Sequence, residues 1–117
     1  MIIGPSNKFT SGISYYSISL ANSLTKDYKI KVVLLRNLLP KFLFPGAKRV
    51  GSNITRFAYN KDIKIYDGID WYWFPSIFGA LKELRESDYI ILQWWTSSVA
   101  HTYFLIKIWN KLFLKKR

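Results

Sequence analysis

The alternation of short apolar runs with helix-period segments constrains the fold of this 117-residue chain more than any other feature. Residues Lys29–Leu35 begin by alternating and become continuously apolar, as expected for a strand covered on both faces. A shorter run, Met1–Ile3, precedes the turn signal Gly4-Pro5. Between the two runs, apolar residues recur at helical spacing at Ile13, Tyr16, Leu20 and Leu24. This order predicts a β-α-β unit.

The second half of the chain continues the same alternation. Asp67-Gly68 is predicted to close a tight turn between two short extended pieces, Ile63–Ile65 and Asp70–Trp73. Pro75 suits the first turn of a helix. The apolar residues that follow it at helical spacing are Ile77, Ala80, Leu81 and Leu84. Tyr89–Leu92 then reads as another buried strand.

The last segment is predicted to be an amphipathic, cationic helix. Its apolar face is predicted to consist of Leu105, Ile108, Trp109 and Leu112. A separate stripe carries Lys107, Lys111 and Lys115. Such a charged stripe is most often a solvated helix face.

These elements predict the α/β class, with a Rossmann-like parallel sheet and crossover helices. In such sheets ligands bind beyond the carboxyl ends of the strands, where the strand order reverses. If the first strand and the Tyr89 strand are neighbours there, the loops Gly4–Gly12 and Gln93–Thr96 line the crevice.

Charge and composition limit the kinds of partner and the kinds of site that this chain can have. Eighteen Lys and Arg against seven Asp and Glu give a net charge of +11, which predicts anionic partners such as phosphates, nucleic acid or an acidic membrane face. The chain has no cysteine and a single histidine, His101, so disulfides, thiolate nucleophiles and Cys- or His-rich metal sites are excluded. We expect no metal and no cofactor.

No secretory signal or membrane span is expected. The N-terminus lacks a basic region followed by a long apolar region. Tyr89–Ile106 carries no formal charge and reaches the minimum spanning length, but its interior contains polar residues that are costly in hydrocarbon. We therefore expect a cytoplasmic chain that associates peripherally with the inner face of the cell membrane.

The segment Leu38–Arg49 mixes apolar and basic side chains and contains two prolines. This mixture suits the surface of an anionic bilayer. The alternative is packing at the edge of a cleft against another domain. The residues predicted to face the membrane are Lys41, Phe42, Phe44, Lys48 and Arg49.

An ordered set of motifs resembles the opening of family-4 glycosyltransferases with the GT-B fold. The set follows the same order and spacing over nearly the whole chain. It consists of Gly4-Pro5-Ser6, Ser11–Tyr16, Leu20–Leu24, Lys31–Arg36, Leu39–Gly46, Asp67–Trp73, Asp88–Trp95 and His101-Thr102.

The resemblance implies retaining transfer of a sugar from a nucleotide-sugar donor to a glycan or lipid-linked acceptor, as in cell-envelope glycan biosynthesis. It also implies two Rossmann-like domains facing a cleft. Residues 1–117 then correspond to an incomplete N-terminal, acceptor-side domain. The donor-binding domain, with its paired-glutamate motif, is not in this sequence. We expect no transferase activity from the chain alone. The resemblance is also compatible with a separately encoded C-terminal domain as a partner.

Two loops carry the candidate site residues. Ser11 and Gly12 are candidates for donor phosphate binding, because a helix N-terminus offers unpaired N–H groups. The alternative is an ordinary turn and cap. Gln93, Trp94 and Thr96 are candidates for acceptor or sugar binding, through an indole face and polar groups. The alternative is core or domain-contact packing.

His101 could contact a sugar hydroxyl or act as an acid or base. A lone helix histidine is more often a packed, hydrogen-bonded residue, so no residue is assigned as catalytic.

Two other functions stay open. The +11 charge with 18% aromatic residues suits a sequence-neutral binder of single-stranded nucleic acid. The tryptophans lie in apolar runs, however, and no RNP, KH or helix-turn-helix signature is present, so nucleic acid is the less favoured partner. A peripheral membrane module without catalysis is the other alternative.

Overall fold

The computed structural model describes residues 1–6, 12–37, 58–70, 75–94 and 97–115. The elements are β1 (Ile2–Pro5), α1 (Gly12–Leu24), β2 (Lys31–Asn37), β3 (Lys64–Asp70), α2 (Ser76–Arg85), β4 (Ile91–Leu92) and α3 (Ala100–Trp109). A 3₁₀ turn at Ser97–Val99 precedes α3, and a π-helical segment, Asn110–Leu114, continues it. The strands and helices follow the predicted order, except that the single strand β3 replaces the two extended pieces predicted on either side of Asp67-Gly68.

The described strands form one parallel sheet with the order β3-β2-β1-β4. The backbone N–H of Ile91 donates to the carbonyl oxygen of Met1 at 2.8 Å, and that of Gln93 donates to the carbonyl oxygen of Ile3 at 3.0 Å. The chain is therefore α/β with a Rossmann-like sheet, as predicted. β1 and β4 are neighbours, which places the reversal of strand order between them.

Helices cover both faces of the sheet. Because side chains alternate along a strand, Ile2 and Val32 pack on one face while Ile3 and Val33 pack on the other. The first face packs against α1, which contributes Ala21 to its core. The second face packs against α2 and α3. Both faces of β2 are thus buried, which is the physical reason for its continuous apolar run.

The buried face of α1 differs from the predicted stripe. Tyr16, predicted to be buried, is exposed, and Leu20 and Leu24 are only half-buried. The buried residues are Ser14, Ser17, Ile18 and Ala21. Small residues lie on this face because the helix passes close to Gly4 of β1: a Cβ built on Gly4 would lie 3.1 Å from Ser17 Oγ.

The predicted turn at Asp67-Gly68 is wrong. Residues 64–70 form one strand that pairs with β2 in parallel throughout. Leu34 pairs with Asp67 and Leu35 pairs with Ile69, so Gly68 is the extra residue of a β-bulge. An Asp-Gly turn closes a hairpin with its own antiparallel partner, whereas here the partner strand comes from earlier in the chain.

The helix α2 buries the residues that the sequence predicted, whereas α3 does not. Ile77, Ala80, Leu81 and Leu84 are all buried. In α3, Thr102, Tyr103 and Ile106 are buried instead of the predicted face. Of that predicted face, Leu105 and Trp109 are half-buried and Ile108 and Leu112 are exposed.

The helices of the structure bear on the predicted absence of a membrane span. Among the described residues, no helix has the length and apolar character that a bilayer crossing requires. The segment is divided between β4, the 3₁₀ turn and α3.

Ion pairs join α2 to the amino ends of β2 and β3. The carboxylate of Glu83 accepts hydrogen bonds from Lys31 Nζ at 3.0 Å and from Lys64 Nζ at 2.7 Å. The hydrogen bond from Lys64, followed by that from Lys31, lowers the pKa of Glu83 below its ordinary value of 4.5. The hydrogen bond with Glu86, followed by that with Glu83, raises the pKa of Lys31.

This network predicts a loss of stability in acid that depends on Glu83. A carboxyl group whose pKa is lowered by folding contributes stability above its unfolded pKa and loses it as the pH falls through the folded pKa. We expect the free energy of unfolding of the wild type to fall more steeply below about pH 5 than that of Glu83→Gln. Urea titrations at a series of pH values measure this. The control, Glu86→Gln, should show a smaller change because Glu86 is solvent-exposed. Parallel pH profiles for wild type and Glu83→Gln would contradict the prediction.

Candidate functional site

The carboxyl ends of β1 and β4 meet at the reversal of strand order. Ser6 follows β1 and is fully buried, and its carbonyl oxygen accepts a hydrogen bond from Ser14 Oγ in α1 at 3.4 Å. Gln93 and Trp94 thus follow β4 at the edge of the sheet at which Ser6 follows β1, and Gly12 begins α1.

The side chain of Gln93 lies inside the molecule, between β1 and α1. The residue is only 8% exposed. Its Oε1 contacts Ser17 Oγ, and a Cβ built on Gly4 would lie 2.7 Å from Oε1. Gly4 thus provides the space that the amide occupies. Gln93 was predicted to bind hydroxyls of a ligand, and its nearest described hydroxyl partner is this buried serine.

One atom of the Gln93 side-chain amide has no hydrogen-bond partner among the described residues. Ser17 Oγ also lies 2.8 Å from the carbonyl oxygen of Ile13, and a hydroxyl has one proton to donate. As placed, Nε2 of Gln93 is buried and unpartnered within the described residues. With the amide rotated, Nε2 would donate to Ser17 and Oε1 would be the unpartnered atom. In both orientations one polar atom of the buried amide has no partner among the described residues.

Tyr103 fixes the backbone at this end of the sheet. Its hydroxyl donates to the carbonyl oxygen of Gln93 at 2.7 Å and lies 3.3 Å from that of Ile3. Burial raises the pKa of Tyr103, so the hydroxyl stays protonated and remains a donor. One side chain of α3 therefore links β1 to β4 and sets the position from which Trp94 projects.

Trp94 and the first turns of α3 form an open cavity beside the crevice. Trp94 is 61% exposed, and its ring centroid lies 6.2 Å from that of Tyr103 at a tilted angle. The cavity has a volume of about 600 Å³. Its lining includes Leu92, Trp94, His101, Tyr103, Phe104 and Lys107. An exposed aromatic wall with a lysine and a histidine at the rim suits a ligand that combines a ring or chain with anionic or hydroxyl groups.

Gly12 and His101 have different surroundings. Gly12 is the first residue of α1 and is exposed, and a Cβ built on it would meet nothing within 4 Å. Packing therefore does not require glycine there. His101 is exposed at the cavity rim, and its Nε2 lies 3.4 Å from Thr102 Oγ1. The sequence favoured a packed, hydrogen-bonded histidine; the structure places His101 in an exposed position with this polar contact.

The remaining predicted site residues lie outside the described residues. They are Ser11, Thr96, Lys41, Phe42, Phe44, Lys48 and Arg49. Their assignments stay predictions.

An ion pair joins the carboxyl ends of β2 and β3, at the same edge of the sheet. Arg36 donates from Nε and Nη2 to the two carboxylate oxygens of Asp70, at 3.2 and 2.7 Å. The backbone N–H of Asp70 donates to Ser76 Oγ at 2.9 Å. Asp70 therefore links β3 to Arg36 of β2 and to the first residue of α2.

Sequence reasoning missed four residues that shape the site: Gly4 as a packing position, Ser17, Tyr103 and Phe104. The signal for Ser17 was present, because Ser14 and Ser17 share a helical face with Ile18 and Ala21. Serines at that spacing indicate a close helix approach or a buried polar group. For Tyr103 the signal was its spacing from Val99 and Ile106.

No metal centre is found within the described part of the chain, where no three His, Asp or Glu side chains are grouped closely enough to hold an ion.

Comparison of the chain with protein-family models, with curated proteins and with solved structures found no match. The function therefore has to be inferred from the motifs and from the geometry of the crevice.

Proposed function

We propose that the chain is the N-terminal, acceptor-side part of a glycosyltransferase. Such an enzyme would transfer a sugar from a nucleotide-sugar donor to a glycan or lipid-linked acceptor at the inner face of the cell membrane. The observation that carries the proposal is the pairing of β4 beside β1, which brings Ser6, after β1, and Gln93 and Trp94, after β4, to one edge of the sheet. Ligands of open parallel sheets bind at this position.

The lining of the cavity supports a sugar-bearing ligand. The exposed indole of Trp94 offers a flat apolar face against which a sugar ring can pack. His101 and Lys107 at the rim can donate hydrogen bonds to hydroxyl or phosphate oxygens. The exposed N-terminus of α1 at Gly12 offers backbone N–H groups to a donor phosphate.

Transfer itself would need a second lobe. The resemblance assigns donor binding to a separate domain with paired glutamates, and that motif is not in this sequence. We therefore expect the chain alone to release no nucleoside diphosphate from UDP-glucose or GDP-mannose. Release of nucleoside diphosphate above background would show that transfer does not need a second domain and would contradict the proposal.

Binding to the cavity is tested by nuclear magnetic resonance titration of the labelled chain with oligosaccharides and nucleotide-sugars. We expect the indole signal of Trp94 to shift, and Trp94→Ala to weaken binding by about 2 kcal/mol, the threshold for a residue that anchors an interface. The control is Phe78→Ala, which removes an equally exposed aromatic ring from α2.

Two results would overturn the proposal. One is a folded chain in which no sugar or nucleotide-sugar shifts the signals of Gln93, Trp94 or His101. The other is a response at these residues to single-stranded DNA alone, with the steep salt dependence of phosphate contacts.

A further inference from the structure

The outer side of α3 and of the π-helical segment presents apolar side chains to solvent. Phe104, Leu112 and Phe113 are 62%, 64% and 64% exposed, and Ile108 is also exposed. Phe104, Ile108 and Leu112 recur every fourth residue, so they lie along one side of the helix. Ile108 and Leu112 are two of the four residues of the predicted apolar face. The stripe of α3 that packs against the sheet instead contains Tyr103 and Ile106.

Lysines flank this apolar side. Lys107 and Lys111 are exposed and recur at the same spacing, next to Ile108 and Leu112. No ion pair within the described residues involves either lysine. The last acidic residue of the sequence is Asp88, so no carboxylate side chain follows it in the sequence. We call Phe104, Lys107, Ile108, Lys111, Leu112 and Phe113 the cationic apolar face.

A groove extends the face toward α2. Its volume is about 120 Å³, and its lining, which is almost wholly apolar, includes Ile77, Phe78, Leu81, Trp109 and Phe113. Phe78 is 58% exposed, so a second helix adds an aromatic side chain to the same surface. At its other end the face shares Phe104 and Lys107 with the cavity beside Trp94.

We propose that the cationic apolar face is a docking surface for an anionic lipid bilayer. Lysines beside an exposed apolar stripe are the arrangement of interfacial helices, whose apolar side chains enter the headgroup boundary while the cations contact anionic headgroups. The charge favours a membrane over a second copy of the chain, because a two-fold dimer through this face would oppose lysines to lysines with no carboxylate of the face between them. None of the residues of this face belongs to Leu38–Arg49, the segment whose composition predicts contact with a membrane.

Vesicle flotation tests the proposal without requiring sugar binding. The full chain should float with vesicles of phosphatidylcholine mixed with phosphatidylglycerol and should not float with phosphatidylcholine alone. Since each basic residue near an anionic surface contributes about 1 kcal/mol, Lys107→Gln with Lys111→Gln should lower the partition coefficient about 25-fold. The matched control is Lys26→Gln with Lys61→Gln, which removes the same charge from exposed positions outside the face. This control should leave partitioning within about twofold of the wild type, given screening at physiological salt.

A second pair of variants tests the apolar part. Leu112→Ser with Phe113→Ser should lower partitioning about tenfold or more at unchanged net charge. Tyr16→Ser with Tyr28→Ser removes two comparably exposed apolar side chains elsewhere and should have little effect. Circular dichroism establishes that each variant is folded.

Four outcomes would overturn the inference. The first is no flotation with anionic vesicles, and the second is an equal loss of vesicle binding in the face variants and the control variants. The third is a loss of vesicle binding in Lys41→Gln with Lys48→Gln but not in the face variants. The fourth is concentration-dependent dimerisation that Leu112→Ser abolishes. Binding of single-stranded DNA through Lys107 and Lys111 without flotation would assign the face to nucleic acid instead. Because the readout is vesicle binding, failure here leaves the test of sugar binding at Trp94 unaffected.

Discussion

Leu84→Ala is expected to lower the free energy of unfolding by about 2–5 kcal/mol. Leu84 is fully buried in the core between α2 and the sheet, with Ile3, Val33 and Ile69. Truncation removes apolar contacts and leaves a cavity that the rigid sheet cannot fill. A domain of this size has a total stability of about 5–15 kcal/mol, so this single change removes a large share of it.

Urea titration followed by circular dichroism and tryptophan fluorescence measures the loss. The control is Leu112→Ala, the same chemical change at a side chain that is 64% exposed. Its effect should stay within about 0.5 kcal/mol, as for other surface substitutions. Similar losses for both leucines would mean that the outer side of α3 is covered in solution, which would contradict the exposed cationic apolar face.

Gly4→Ala is expected to destabilise the chain by about 1–3 kcal/mol and to displace Gln93. The added methyl group would lie 2.7 Å from Gln93 Oε1 and 3.1 Å from Ser17 Oγ. Both atoms belong to buried residues in contact with each other, so neither can move away without losing packing. Gly12→Ala is the matched control, since its added methyl group meets nothing within 4 Å.

A double-mutant cycle identifies the contact responsible. In a Gln93→Ala background the amide is gone, so Gly4→Ala should cost less there than in the wild type. The coupling energy from urea titration gives the share of the clash that is due to Gln93. If Gly4→Ala lowers the free energy of unfolding equally in both backgrounds, the added methyl group does not clash with Gln93. Gly4 would then not be the residue that leaves space for the amide.

The same geometry connects stability to the proposed function. Gly4, Ser17, Gln93 and Tyr103 hold the junction of β1 and β4, and Trp94 projects from it into the cavity. We therefore expect Gly4→Ala to weaken sugar binding as well, whereas Gly12→Ala should affect only a ligand phosphate at the start of α1.

How much of this could be predicted differs from element to element. The strand at Lys31–Asn37 was predictable because a strand buried on both faces has a continuous apolar run in its sequence, here Val32–Leu35. The bulge at Gly68 was not, because Asp-Gly has the same local preference in a turn and in a bulge. Only the position of β2 beside it decides between them.

The helices show the same division. Periodicity established that Gly12–Leu24 and Ala100–Trp109 are helical, but each of these helices carries more than one stripe of suitable residues. Which stripe is buried depends on the shape of the surface opposite. Gly4 of β1 leaves space for the serines of α1, and the hydroxyl of Tyr103 lies within hydrogen-bonding distance of two carbonyl oxygens at the end of the sheet.

By itself, then, the sequence determined the α/β class, the order of its strands and helices along the chain, and the cationic character of the last helix. The tertiary structure decided that Gln93 is enclosed, that Trp94 and His101 border a cavity, and that Leu112 and Phe113 face outward. The reason is physical: local preferences and apolar period act within one segment, whereas burial is a property of two surfaces and depends on residues far apart in the chain.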